Sequence, residues 1–96
     1  MTQSELLMKL TNVKSELKQQ FGIEEIALFG SYARGEARDD SDVDIAILEM
    51  NLKSGFDIIN AKNYLQNYLQ KSVDIGTFKS MKTFIKNRIK KDFIYV

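Results

Sequence analysis

Three strand-like segments in this 96-residue chain are joined by connections of very unequal length, and that inequality constrains the topology more than any other feature. Residues 24–29 (EEIALF), 42–48 (DVDIAIL) and 72–78 (SVDIGTF) read as short strands. Asp42 follows Gly30, at the end of the first of them, by only twelve positions. If these two ends are to share one site, the first two strands run antiparallel. The next connection contains a whole helix near 56–70, so the second and third strands are expected to be parallel, in a right-handed crossover. Leu6, Leu10, Val13 and Leu17 lie at helical spacing and predict one amphipathic helix over 3–20, stopped by Gly22. Ile58, Leu65 and Leu69 mark one side of the helix that follows Gly55. Met81, Phe84, Ile85 and Ile89 are expected to face inward on a helix over 80–91. Residues 31–37 have room for a helical turn, ARDDS reads as a loop, and the closing FIYV reads as a short edge strand. The order suits an α/β sandwich, with a single domain over 1–96.

Composition narrows the chemistry. With 44% hydrophobic and 28% charged residues, the chain is neither disordered nor fibrous. Lys and Arg number 14 against 13 Asp and Glu, a net charge of +1, which does not suggest direct nucleic-acid binding. There is no Cys and no His, which removes zinc centres, thiol nucleophiles, Ser-His-Asp triads and any His base. What remains is carboxylates, hydroxyls, Lys, Arg, or a metal held by oxygen. The start, MTQSELLMKL, lacks a signal-peptide pattern, and no apolar run approaches the ~18 residues of a membrane span. A cytoplasmic protein without membrane attachment is expected.

The informative stretch is Gly30-Ser31-Tyr32-Ala33-Arg34-Gly35, followed by Asp42-Val43-Asp44. Alternation puts Asp42, Asp44, Ala46 and Leu48 on one strand face, and Val43, Ile45 and Ile47 on the other. With the second and third strands parallel, Asp74 joins Asp42 and Asp44 on the open face, and Gly76 leaves room beside it. Three carboxylates so placed repel one another, and a bound Mg²⁺ resolves the repulsion. Gly30 lets backbone N–H groups approach a phosphate, the Ser31 hydroxyl adds a donor, and Arg34 and Arg38 are near enough in sequence to meet a triphosphate. Carboxylate-held metal facing an anion cradle is the machinery of phosphoryl or nucleotidyl transfer.

GSYARGEARDDSDVDIAI resembles the signature of the DNA polymerase β-like nucleotidyltransferase superfamily: Gly-Ser, ten residues, then Asp-x-Asp, with a third Asp on the following strand matched by Asp74. The small size and the GSYARG form resemble the minimal nucleotidyltransferase (MNT) antitoxins, over roughly residues 22–96. The resemblance implies an α/β (α+β) fold with a small mixed β-sheet flanked by helices. It implies that Asp42 and Asp44 bind two Mg²⁺ ions, and that Asp74 shares the metal site and activates the acceptor hydroxyl. Gly30 and Ser31 would hold the phosphates of ATP, with Arg34 beside them. It further implies a HEPN-domain ribonuclease toxin as partner in a hetero-oligomer, silenced by transfer of AMP onto a tyrosine. One departure is Lys91-Asp92, where many relatives have Gly; it is expected to touch the edge of the fold and not the metal site.

Singly, these residues have ordinary readings. An acidic pair after a DDS loop is usually a solvated strand start, and only Gly30-Ser31 and Asp74 at matching positions turn it into a site. Gly35 can simply end a helical turn. Arg34 and Arg38 can balance Asp39 and Asp40. Tyr32, Tyr64 and Tyr68 suit packing, and the basic run 86–91 suits a solvated helix end. The leading function is an adenylyl-transferring antitoxin. The alternative is an antitoxin that binds and sequesters its toxin without catalysis. Transfer to a small molecule such as an aminoglycoside is disfavoured, because no acceptor domain is evident.

Overall fold

A computed structural model describes residues 1–51 and 54–96. The first helix, α1 (Gln3–Asn12), starts at a capping box: Thr2 Oγ1 accepts from the Glu5 N–H, and Glu5 Oε1 accepts from the Thr2 N–H. The single helix expected over 3–20 is in fact two. The chain breaks at Val13 (φ −105°, ψ 7°) before α2 (Lys14–Phe21). Thr11 donates back to the Leu7 carbonyl at 2.8 Å, a bond that bends helices, and β-branched Val13 follows at the break. Leu6, Leu10, Val13 and Leu17 are nonetheless all buried, so the apolar stripe survives the kink.

Then come β1 (Ile23–Phe29), a four-residue helical turn α3 (Gly30–Ala33), β2 (Val43–Met50), α4 (Asp57–Leu69), β3 (Val73–Thr77), α5 (Thr83–Ile89) and β4 (Ile94–Tyr95). The sheet order is β3-β2-β1-β4. Strand β1 is antiparallel to β2 and β4, while β2 and β3 are parallel, as the connection lengths require. Ile26, Leu28, Val43, Ile45, Ile47 and Val73 face the helical layer and form the core with Leu6, Leu10, Leu17, Leu65 and Leu69. The helix expected over 80–91 is shorter, with a 3-10 turn on either side of α5. Phe84, expected inward, is 64% exposed; of its helix only Ile89 is buried. Among the described residues no helix is long and apolar enough to cross a membrane.

Gly22 is the residue on which the turn from α2 into β1 depends. It adopts φ +70°, and its carbonyl accepts from the Asn51 N–H at 2.7 Å. A Cβ there would lie 2.1 Å from the Asn51 carbonyl oxygen. Both neighbours are backbone and cannot rotate away. Gly22→Ala is therefore expected to cost about 3 kcal/mol of stability, read as a lower urea midpoint. An unchanged midpoint would show that this turn is not as tight as described.

Candidate active site

The site grows from one row across the sheet. Phe29 pairs with Asp44, and Asp44 pairs with Asp74, so both carboxylates project from the face opposite the helical core. The next row is Ala27, Ala46 and Gly76, all small. A Cβ on Gly76 would meet nothing within 4 Å, so the space beside Asp74 is open. Asp42 stands two residues before Asp44 on the same face, exposed, just ahead of β2. The expected juxtaposition of Asp42, Asp44 and Asp74 is thus set by strand alternation and parallel register.

Gly30 closes the row from the β1 side. Its φ is +75°, and a Cβ there would lie 2.1 Å from Asp44 Oδ2. Only glycine lets the carboxylate rest against the backbone that begins α3. The turn is anchored from beneath: Tyr32 is 2% exposed, and the Gln3 side-chain amide donates to the carbonyls of Tyr32 (2.8 Å) and Ala33 (3.0 Å). Tyr32 is therefore a packed aromatic. Ser31 sits between Gly30 and that anchor, half-buried, with its hydroxyl unengaged among the described residues.

A cavity of about 400 Å³ opens against this corner, lined by Phe29, Gly30, Arg34, Asp44, Arg88, Ile89 and Asp92. Two sequence expectations change here. Arg34 does reach the site, but its guanidinium is engaged: Nη1 donates to Asp92 Oδ2 at 2.8 Å and Nε to Glu36 Oε2 at 3.2 Å. Asp92, placed by sequence at the edge of the fold, lines the same cavity as Asp44. The reason is packing: Phe93 lies 6.3 Å from Phe29, 5.4 Å from Phe78 and 5.9 Å from Tyr95, centroid to centroid. These rings draw the segment after α5 over the second face of the sheet. Arg88, on α5, lines the cavity too; sequence reasoning missed this placement and read it as part of a solvated helix end. The available signal was its neighbour Ile89, the apolar residue that interrupts the basic run and is buried. Tyr64 and Tyr68 stack at 6.4 Å on the far side of the core and take no part.

Electrostatics mark Asp44. Burial, then the like charges of Asp74 and Asp42, raise its carboxyl to about 6, against a smaller downward pull from Arg34. No hydrogen bond or ion pair among the described residues engages the side chains of Asp42, Asp44 or Asp74. Free carboxylates that repel one another are a hard-oxygen donor set suited to a divalent cation. Among the described residues no three carboxylates are grouped so that together they could hold a metal ion. Mg²⁺ needs no such group, since it takes one or two carboxylates and completes its shell with water and substrate phosphates. Asp44, with Asp42 or Asp74, fits that demand.

A mixed sheet with this open acidic row is a nucleotidyltransferase fold, and the chain belongs to the nucleotidyltransferase domain family, whose pattern matches residues 10–96. It is 38% identical over 96 residues to the protein adenylyltransferase MntA of Thermococcus cleftensis, spanning 100% of this chain and 97% of that one. It is 40% identical over 98 residues to a candidate protein adenylyltransferase of Methanocaldococcus jannaschii, spanning 99% and 98%. A solved structure described as a candidate minimal nucleotidyltransferase superposes with a TM-score of 0.79 at 27% identity, over 98% of this chain and 95% of that one. A crystal structure of a toxin–antitoxin with AMP-PNP shares the fold at a TM-score of 0.70 and 21% identity, over 99% of this chain and 72% of that one. The chain is thus an enzyme of the nucleotidyltransferase class.

Proposed function

We propose that residues 1–96 form one cytoplasmic catalytic domain that transfers AMP from ATP, with Mg²⁺, to a tyrosine hydroxyl of a cognate HEPN ribonuclease toxin, and so neutralises it. The observation that carries this reading is the register that sets Asp44 beside Asp74, with Gly30 against the Asp44 carboxylate. The names of the MntA relatives support adenylyl transfer to protein, and the toxin–antitoxin neighbours support a toxin as acceptor.

In this reading Asp44, with Asp42 or Asp74, holds the metal, while Gly30, Ser31 and the start of α3 receive the phosphates. When bound, the metal neutralises phosphate charge and polarises the α-phosphoryl group. Asp74 is exposed and takes the proton of the attacking hydroxyl. The acceptor oxygen forms its bond to the α-phosphorus, the bond to the β-phosphate oxygen breaks, and its electron pair leaves with pyrophosphate. The open space at Gly76 admits an acceptor side chain beside Asp74. Arg34 meets the nucleotide only if its pair with Asp92 opens.

Neutralisation by coverage alone is the second reading, favoured by Phe84 and Tyr95, which are 64% and 67% exposed. Co-expression of the toxin with the doubly substituted Asp42→Asn/Asp44→Asn chain separates the two. Catalytic neutralisation predicts that growth protection is lost while the complex still forms. Full protection by that variant would establish sequestration.

A further inference from the structure

We propose that Arg88 is the side chain that engages the terminal phosphates of the nucleotide. This rests on the nucleotidyltransferase reading above and assigns a residue to it. Two arginines line the cavity that Gly30 and Asp44 also line. The first, Arg34, is already committed to Asp92 and Glu36. The second, Arg88, has no ion pair among the described residues.

The charge balance of the cavity then points one way. Arg34 and Asp92 cancel, Asp44 is left to the metal, and Arg88 is the cation left for an anionic ligand. Arg88 reaches this cavity from α5, whereas Asp44 reaches it from β2 and Gly30 from the start of α3. The turn α3 has four residues, too short for a helix dipole to replace a side-chain cation.

The position of Arg88 is held from both sides. Ile89, next to it, is buried, and Lys86, two residues before, lies over the Phe78 ring at 5.5 Å. Arg88 is exposed, and its guanidinium is always charged and presents a planar fork that matches phosphate oxygens. In the reaction above, the β-phosphate oxygen gains negative charge as its bond to the α-phosphorus breaks, and a cation there stabilises the leaving pyrophosphate.

The test is calorimetric binding of α,β-methylene ATP, which cannot be cleaved at the reacting bond, with Mg²⁺. Arg88→Gln is expected to weaken binding about tenfold or more, with an unchanged melting temperature because the side chain is exposed. Arg88→Lys recovers part of the loss, as a charge role requires and a packing role does not. Arg34→Gln weakens binding less than Arg88→Gln. Native affinity in Arg88→Gln, or a larger loss in Arg34→Gln, would overturn the assignment. If the native protein does not bind the analogue at all, the nucleotidyltransferase reading fails and takes this inference with it.

Discussion

Asp44→Asn is expected to lose transfer activity by about a thousandfold or more while leaving the metal-free protein folded and, above pH 6, more stable. The activity loss follows from removing one charge of the proposed metal site, several kcal/mol of transition-state stabilisation. The stability gain follows from the raised carboxyl. An unfolded Asp titrates near ~3.9, and Asp44 titrates at about 6 in the folded chain. Between those values the native state holds a proton that the unfolded state has released. Stability therefore falls as pH rises through that window and is level above it. The shift corresponds nominally to about 3 kcal/mol, but Asp44 is only half-buried, and solvent screening reduces the cost to about 1 kcal/mol. Urea unfolding without metal should show the native chain weakening from pH 4 to pH 6 and Asp44→Asn not doing so. Millimolar Mg²⁺ should raise the melting temperature of the native chain above pH 6 and not that of the variant. A variant that unfolds would show that Asp44 makes a core contact instead.

Gly30→Ala is expected to separate stability from activity in the opposite sense to Gly22→Ala. The positive φ at Gly30 costs an alanine roughly 1 kcal/mol. The Cβ would also meet Asp44 Oδ2 at 2.1 Å. That oxygen is the end of a side chain and can swing away, so the fold survives with a loss of about 1–2 kcal/mol. The carboxylate, however, leaves its place beside the start of α3. A displacement of about 1 Å in a reacting group typically costs a hundredfold, and a loss of that size is expected here. Steady-state kinetics and a thermal melt on the same preparation test it. Full activity in Gly30→Ala would mean that the carboxylate need not rest against that backbone.

Local pattern carried much of this fold and site. Alternation in DVDIAIL placed Asp42 and Asp44 on one face and Val43, Ile45 and Ile47 in the core, because a strand repeats every two residues whatever surrounds it. Connection length set the mixed sheet, and with it the pairing of Asp44 with Asp74. The break at Val13 was hidden because the apolar stripe runs straight through it and only a hydroxyl–carbonyl bond marks the bend. Phe84 stands at helical spacing from Met81, three residues before it, but α5 is only seven residues long and buries Ile89 alone, while Phe78 and Phe93 pack on each other. The partner of Arg34 was out of reach of any local argument: Asp92 lies 58 residues away and arrives through aromatic packing at Phe93. Arg88 was equally out of reach, since it is the cavity lined by Phe29 and Asp44, distant in sequence, that brings it to the site.

The acidic row is proposed to carry out adenylyl transfer to a protein. The most direct test of this claim is intact-protein mass spectrometry of the protein encoded by the adjacent gene, after incubation with ATP and Mg²⁺. The incubation is run with this chain, with its Asp42→Asn/Asp44→Asn variant, and with neither. The expected result is a gain of one or more adenylyl units with the native chain alone. No mass change alongside tight complex formation would contradict the claim and leave a nucleotidyltransferase fold that acts by binding.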